Sequence, residues 1–261
     1  MCGRRFTLTF VFMEKSFILR RALQVMLPAT LLLASCGKKD EPAAAAPDKG
    51  RVLITHAAAA ANTQITAFVA DGQVAQLNYG QSSTYQTVNA GAPTLRINNG
   101  TQVVASQALT VGKDQNYSVF VYSPAATIGS AALLTAPDDL TAPPTGQFKV
   151  RFVHLGVGAA SPLRLTVASA VPSAPGTDIT PDIPFGTTSG FVNLTAGTVN
   201  LNITSGGTPR TQVMAVGDGA GAGTGTKNYE NGKIYTILLR GIEGTGVPTA
   251  QQKQTVIIQN N

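Results

Sequence analysis

Apolar residues recur along this chain in two different ways. Near the start, Ala22 to Leu33 is an almost unbroken apolar run ending in Leu31-Leu32-Leu33. Beyond residue 50 the pattern changes to short alternations: Ile65, Ala67 and Val69; Leu95 and Ile97; Tyr117, Val119 and Val121; Leu163, Leu165 and Val167; Val199, Leu201 and Ile203. Alternation at every second position gathers apolar side chains on one face of a β-strand. Ile234 to Leu239, Ala132-Leu133-Leu134 and Val256-Ile257-Ile258 add further strands. Asp71-Gly72 and Asn99-Gly100 lie between such runs and predict tight hairpin turns, because positive φ is cheap at these residues. No segment after the leading run keeps a helical period. Short strands separated by turn signals every 8–12 residues or so predict antiparallel β-sandwiches of the immunoglobulin-like kind, an all-β fold.

The alternating region occurs twice. Tyr79-Gly80-Gln81-Ser82-Ser83-Thr84-Tyr85 aligns without gaps on Phe185-Gly186-Thr187-Thr188-Ser189-Gly190-Phe191. The same offset carries Ala90-Gly91 onto Ala196-Gly197, and Leu95 and Ile97 onto Leu201 and Ile203. Upstream, Val52-Leu53-Ile54-Thr55-His56 matches Val150-Arg151-Phe152-Val153-His154; downstream, the strand around Tyr117 matches that around Tyr235. Internal repetition of this length predicts two tandem sandwiches, at residues 50–136 and 148–261. The intervening residues 137–147 hold Pro137, Pro143 and Pro144 and read as a stiff linker.

The leading run has the layout of an export signal: Lys15, Arg20 and Arg21, then the apolar stretch, then Leu33-Ala34-Ser35-Cys36. It is too short to span a bilayer, which takes about 20 apolar residues. Its last four residues resemble the lipobox of bacterial lipoproteins, which implies a lipid on the Cys36 sulfur and cleavage between Ser35 and Cys36. Residues 1–35 are then a signal peptide, with Met13 a candidate true start. Two or three acyl chains, palmitate-like in length, hold a protein durably, since each buried methylene contributes about 0.8 kcal/mol. Residues 36–49 form the lipidated cysteine and a Pro- and Ala-rich tether. Gly37 follows the cysteine where an Asp resembles an inner-membrane retention signal, so the outer membrane is expected. Lys38-Lys39-Asp40-Glu41 resembles a surface-export signal; without surface display the protein faces the periplasm.

Charge then changes the picture. The formal net charge is +6, with 19 basic and 13 acidic residues. Arg4, Arg5, Lys15, Arg20, Arg21 and Glu14 all precede Cys36, leaving 14 basic against 12 acidic residues. No basic stripe of the kind that binds nucleic acid remains. Cys2 and Cys36 are the only cysteines, so the mature sandwiches contain no free thiol, disulfide or cysteine-ligated metal.

Lys149-Val150-Arg151-Phe152-Val153-His154-Leu155, preceded by Asp138-Asp139-Leu140-Thr141-Ala142-Pro143, resembles the opening of a bacterial module known as domain of unknown function 4397. Tyr79-Gly80, Phe185-Gly186 and the two Ala-Gly turns fit the same pattern. Ala57 to Asn62 and Gly156 to Pro162 lack the aspartates usual there. The resemblance covers nearly all of 50–260 and implies an extracytoplasmic β-sandwich, often lipidated. It supplies no activity, hence no catalytic residues.

Candidate chemistry is thin. His56 and His154 are the only histidines and occupy matching places, but neither has a second ligand in its unit, so each is expected to bond an adjacent loop from a strand end. Asp138-Asp139 could offer oxygens to calcium, as could Asp178 and Asp182; without the ligand density of a calcium loop, all four read as solvated acids. Gly217 to Lys227 is rich in glycine, but Lys227 precedes a strand instead of a helix, so a flexible hairpin is expected instead of a phosphate loop. The sequons at Asn99, Asn116, Asn193 and Asn202 mean little in a bacterial protein. Tyr79, Tyr85, Tyr117 and Phe185 are aromatic candidates for a binding patch, with core packing as their alternative role. No catalytic constellation, metal site or cofactor is expected, and the protein is not read as an enzyme. The reading that remains is a lipid-anchored, surface-displayed binding or adhesion module for a glycan or protein ligand; its rival is a structural envelope protein with no specific ligand. Mass spectrometry of membrane-extracted protein is expected to find an acylated Cys36 as first residue, and an unmodified N-terminus would contradict this.

Overall fold

The computed structural model describes residues 46–127, 131–169, 176–206 and 210–261. Ser35, Cys36, the apolar leader and most of the tether lie outside them. The first half of the described chain comprises β1 (Lys49–Ala57), β2 (Ile65–Val69), β3 (Gly72–Leu77), β4 (Gln86–Asn89), β5 (Thr94–Asn99), β6 (Gln102–Ala108), β7 (Asn116–Tyr122) and β8 (Ala132–Pro137). The second comprises β9 (Gln147–His154), β10 (Leu163–Val167), β11 (Thr177–Asp178), β12 (Thr187–Thr188), β13 (Val192–Thr195), β14 (Gly197–Thr198), β15 (Leu201–Ser205), β16 (Gln212–Ala215), β17 (Ala220–Gly221), β18 (Asn228–Tyr229), β19 (Ile234–Arg240) and β20 (Gln254–Gln259). The fold is all-β, as the alternation predicts.

Each half stacks two sheets. In the first, β4-β1-β7-β8 packs on β3-β2-β5-β6 through Val52, Ile54, Ile65, Leu95, Ile97 and Val119. In the second, β12-β9-β19-β20-β17 packs on β11-β10-β15-β16 through Phe148, Phe152, Leu165, Ile203, Ile237 and Leu239. The expectation of purely antiparallel strands needs one amendment. β1 pairs parallel with β7, and β9 with β19. The opening strand of each half lies beside the penultimate one in the same direction, which the intervening strands make possible by crossing to the other sheet and back. Both hairpin turns also sit one residue away from their predicted places. Val69 pairs with Gly72, so Ala70 and Asp71 form the two-residue loop, both with positive φ. Asn99 pairs with Gln102 across Gly100-Thr101.

The two sandwiches are fused face to face. Along β1, Val52 and Ile54 point into the first core while Leu53 and Ala57 point away from it; along β9, Phe152 faces the second core while Val153 and Leu155 point out. Those outward residues meet, joined by Phe120, Leu238 and Ile258, in a third hydrophobic cluster. Strands β1, β7, β9 and β19 are therefore buried on both faces. A fourth cluster of Ala59, Ala60, Val157 and Ile242 continues the seam beyond the ends of β1 and β9. The two strands run the same way, so both halves present their loops at a common far end, opposite the end where the chain enters β1.

At the near end the seam is polar. Arg151 and Asp138 form an ion pair at 2.7 Å with side chains 1% and 0% exposed. Arg151 Nε donates to Thr236 Oγ1 (2.9 Å), which donates to Asn260 Oδ1 (2.8 Å). Asn260 Nδ2 donates to Tyr85 Oη (3.2 Å), and Tyr85 donates to Asp138 Oδ2, closing a ring. Ser118 Oγ adds a bond to the same carboxylate at 2.7 Å, and Arg151 Nη1 reaches the Pro137 carbonyl at 3.2 Å. Burial, followed by the neighbouring Asp138 carboxylate, raises the Tyr85 phenol well above its ordinary pKa and keeps it a donor. Asp138 is thus a buried ion-pair partner, correcting its reading as a solvated linker acid. Pro137 ends the edge strand β8 instead of interrupting a sheet, a place where its missing N–H is tolerated.

Removing one partner of a buried ion pair leaves the other charge uncompensated, at a cost of about 3–5 kcal/mol. Asp138→Ala is expected to lower unfolding stability by that amount, read from the urea midpoint. Arg151→Met combined with Asp138→Leu is expected to recover most of the loss; equal instability of both variants would show that the charge pair is not what matters.

Candidate functional site

The far end of the first sandwich holds a small cavity of about 140 Å³ between its two sheets. The five alanines Ala57 to Ala61 bring the chain over the top of β1 in a helical turn, with Ala61 N–H and Asn62 N–H both bonded to Ala58 O. The methyls of Ala58, Ala60 and Ala61, with Ile65, Val104 and Val121, make most of the wall. Ser123 sits at the wall, 5% exposed, and its Oγ accepts the Ala60 N–H at 3.0 Å. Thr63 and Asn99 border the cavity with exposed side chains. None of the lining side chains is ionisable.

His56 holds this wall in place. Its Nε2 bonds the Thr63 carbonyl at 2.8 Å, and its Nδ1 accepts the Ala58 N–H at 3.3 Å. The ring is therefore the neutral tautomer with the proton on Nε2. His154 repeats the Nε2 bond, on the Ala160 carbonyl at 3.0 Å, while its Nδ1 has no partner among the described residues. Both histidines are fully buried strand-end residues that fasten the following loop, as their positions suggest. Burial pulls both pKa values below the ordinary 6.5, with Arg240 pulling His56 further down; the bonded carbonyls oppose the shift.

The repeated aromatic-glycine pairs serve the seam. Tyr79 stands edge-on to His56 and lies under the Arg240 guanidinium, 4.3 Å from the ring centroid. Phe185 stands edge-on to His154 and to Tyr122. Gly80 and Gly186 have φ of +90° and +77°, and a Cβ there would meet Arg240 Nη2 at 2.8 Å and Tyr122 Oη at 3.0 Å. The positive φ is what favours glycine at both places. Tyr85 belongs to the near-end ring, and Tyr117 packs on the first core while its Oη accepts the Gly112 N–H at 3.1 Å. The four aromatic candidates are thus spread over the seam and one core and form no common patch.

The remaining sequence candidates have partners of their own. Asp139 accepts from Lys149 Nζ (2.6 Å) and Thr141, which lower its pKa to about 2. Asp178 pairs with Arg164 at 2.8 Å and Arg210 at 2.5 Å, and Asp182 pairs with Arg164. In the glycine-rich loop Asp218 N–H bonds Thr224 O at 2.8 Å, and Lys227 lies over the Tyr229 and Tyr235 rings; the hairpin expectation is corrected, since β16 and β18 pair with β15 and β14 and the loop's own β17 pairs with β20. Among the described residues no three His, Cys, Asp or Glu side chains come together as a metal site. Nor is any helix among the described residues long and apolar enough to cross a membrane. Open polar grooves lie at the near end, where Arg51 and Asp114 border volumes of about 320 and 480 Å³. Sequence reasoning missed Ser123 and Thr63 and took Asn99 only as a turn residue; the alanine run was the available signal.

Because burial holds both histidine pKa values below the ordinary 6.5, the unfolded chain takes up protons first as pH drops through that value, and stability falls with it. The melting temperature is expected to decrease from about pH 7 to about pH 5. His56→Gln combined with His154→Gln is expected to flatten that slope while lowering the melting temperature at every pH.

No curated protein matches the chain. Among solved structures, the crystal structure of "a putative cell adhesion protein" from Bacteroides eggerthii DSM 20697 is 10% identical, with 82% of this chain and 96% of that chain covered. Its TM-score is 0.22, which carries nothing over to this protein. Residues 50–161, spanning the first sandwich, the connecting segment and β9, match the model of the family described as Domain of unknown function (DUF4397), the family that the repeated motifs resemble.

Proposed function

We propose that this protein is a lipid-anchored module of the bacterial cell envelope that displays a rigid pair of β-sandwiches and binds a ligand at their far end. The observation that carries the reading is the charge-free cavity of the first sandwich, bordered by Thr63, Asn99 and Ser123, at the end opposite the entry of the chain. A preformed, mostly apolar concavity with a few polar groups is what small-ligand recognition uses. Acylation at Cys36 and the tether would hold the near end towards the membrane and leave the loops outward. Loop ends of sandwiches are common recognition surfaces, because loop sequence varies without disturbing the core. In the second sandwich Gly241 stands where Ser123 stands in the first, and a Cβ there would lie 2.2 Å from Gln252 O, so that place offers no hydroxyl side chain.

A glycan array and an envelope pull-down, each run with the wild-type chain and with Ala61→Leu, test the proposal. Filling the cavity is expected to weaken capture at least tenfold without lowering the melting temperature. Equal capture by both proteins, or silence of the folded wild type in both assays, would favour a structural envelope role without a ligand.

A further inference from the structure

The cavity's own chemistry restricts what it can hold. We infer that it receives the acetamido group of an N-acetylated sugar, with the sugar ring resting at the mouth; this rests on the binding reading above. Three observations lead there. The first is size. At about 140 Å³ the space resembles the cavity of about 150 Å³ that admits one benzene ring, so it takes a substituent and not a whole saccharide. The second is charge. No lining side chain is ionisable, and a charged group entering would lose its hydration with no counter-ion to replace it. That excludes phosphate, carboxylate and ammonium groups.

The third is an unused donor. The Ser123 hydroxyl is nearly fully buried, and its oxygen already accepts the Ala60 N–H. Its proton has no acceptor among the described residues. A purely aliphatic guest, such as a leucine side chain, would fill the methyl-lined space and leave this donor unpaired. An acetyl group fits both features, placing its methyl among Ala58, Ile65 and Val121 and its carbonyl oxygen on Ser123. The side chains of Thr63 and Asn99 make no hydrogen bond within the described residues and stand where ring hydroxyls would lie. They supply the polar rim that a hydroxylated carrier needs.

The test titrates the full chain with N-acetylglucosamine, glucosamine, glucose and N-acetyl-leucine amide, following the acetyl methyl by saturation-transfer NMR and the affinities by calorimetry. N-acetylglucosamine is expected to bind at least tenfold more tightly than glucose or glucosamine, with saturation strongest at its acetyl methyl. Ser123→Ala is expected to weaken it about tenfold, and Thr63→Val with Asn99→Ala, both at exposed positions, by a similar factor. Comparable affinity for glucose, saturation centred on the ring protons, undiminished binding by these variants, or a preference for N-acetyl-leucine amide would each overturn the inference. Its failure is separable from that of the binding reading. Capture that Ala61→Leu abolishes on the array or in the pull-down, with no preference for N-acetylated sugars, would leave the site in place and change only its ligand.

Discussion

Everything in this fold depends on four strands that are buried on both faces. A sandwich normally buries one side of each sheet and leaves the other to water. Here the outer faces of β1, β7, β9 and β19 meet each other, so the inward and outward positions along each strand must both be filled with partners. The apolar middle, built on Leu53, Phe120, Val153 and Leu238, supplies non-directional attraction. The ring through Asp138, Arg151, Thr236, Asn260 and Tyr85 adds direction, because a charge without water needs its partners at defined places. Sliding one sheet over the other would break that ring before it disrupted the apolar contacts.

The architecture also explains why residues that look functional are occupied elsewhere. Arg151, Asp138, both histidines and the aromatic-glycine pairs are the conspicuous chemistry of the chain, and they stabilise the seam or fasten loops. The cavity is bounded instead by alanine, valine, serine and threonine. Its wall depends on His56, whose Nδ1 holds the alanine turn at Ala58 and whose Nε2 holds Thr63 just beyond it. Site and fold therefore share one residue, buried, neutral and far from any catalytic arrangement.

How much of this was legible in sequence follows from which physics is local. Alternation at Ile65-Ala67-Val69 or Tyr117-Val119-Val121 reports strands because the side-chain period is fixed by the backbone. The repeat was visible in part because Gly80 and Gly186 both stand at positive φ, where a residue with a Cβ is strained. The histidines' role could be read from their strand-end places. The parallel pairing of β1 with β7 was not readable, since it joins segments far apart in the chain. Nor was the face-to-face fusion: Leu53 and Val153 look like ordinary alternates to core residues until a second sheet covers them. Asp138, in a proline-rich stretch, reads as solvated because its partners Tyr85 and Ser118 are remote in the chain. The cavity left almost no trace, for empty space is made by small residues and their number alone does not say where they gather.

The two halves contact one another in an approximately self-complementary way. Asp138 and Asn260 hold equivalent places after β8 and β20, each donating its N–H to the strand beside it, at Asn116 and Ile234. Tyr122 and Arg240, likewise equivalent, lie against Phe185 and Tyr79. This is the geometry of a symmetric dimer whose protomers have become one polypeptide. Joining them makes association intramolecular, so the pair forms at any abundance and survives dilution. It also frees each half from having to match itself. One half can carry the carboxylate and the other the guanidinium, and one can keep a serine where its twin has a glycine.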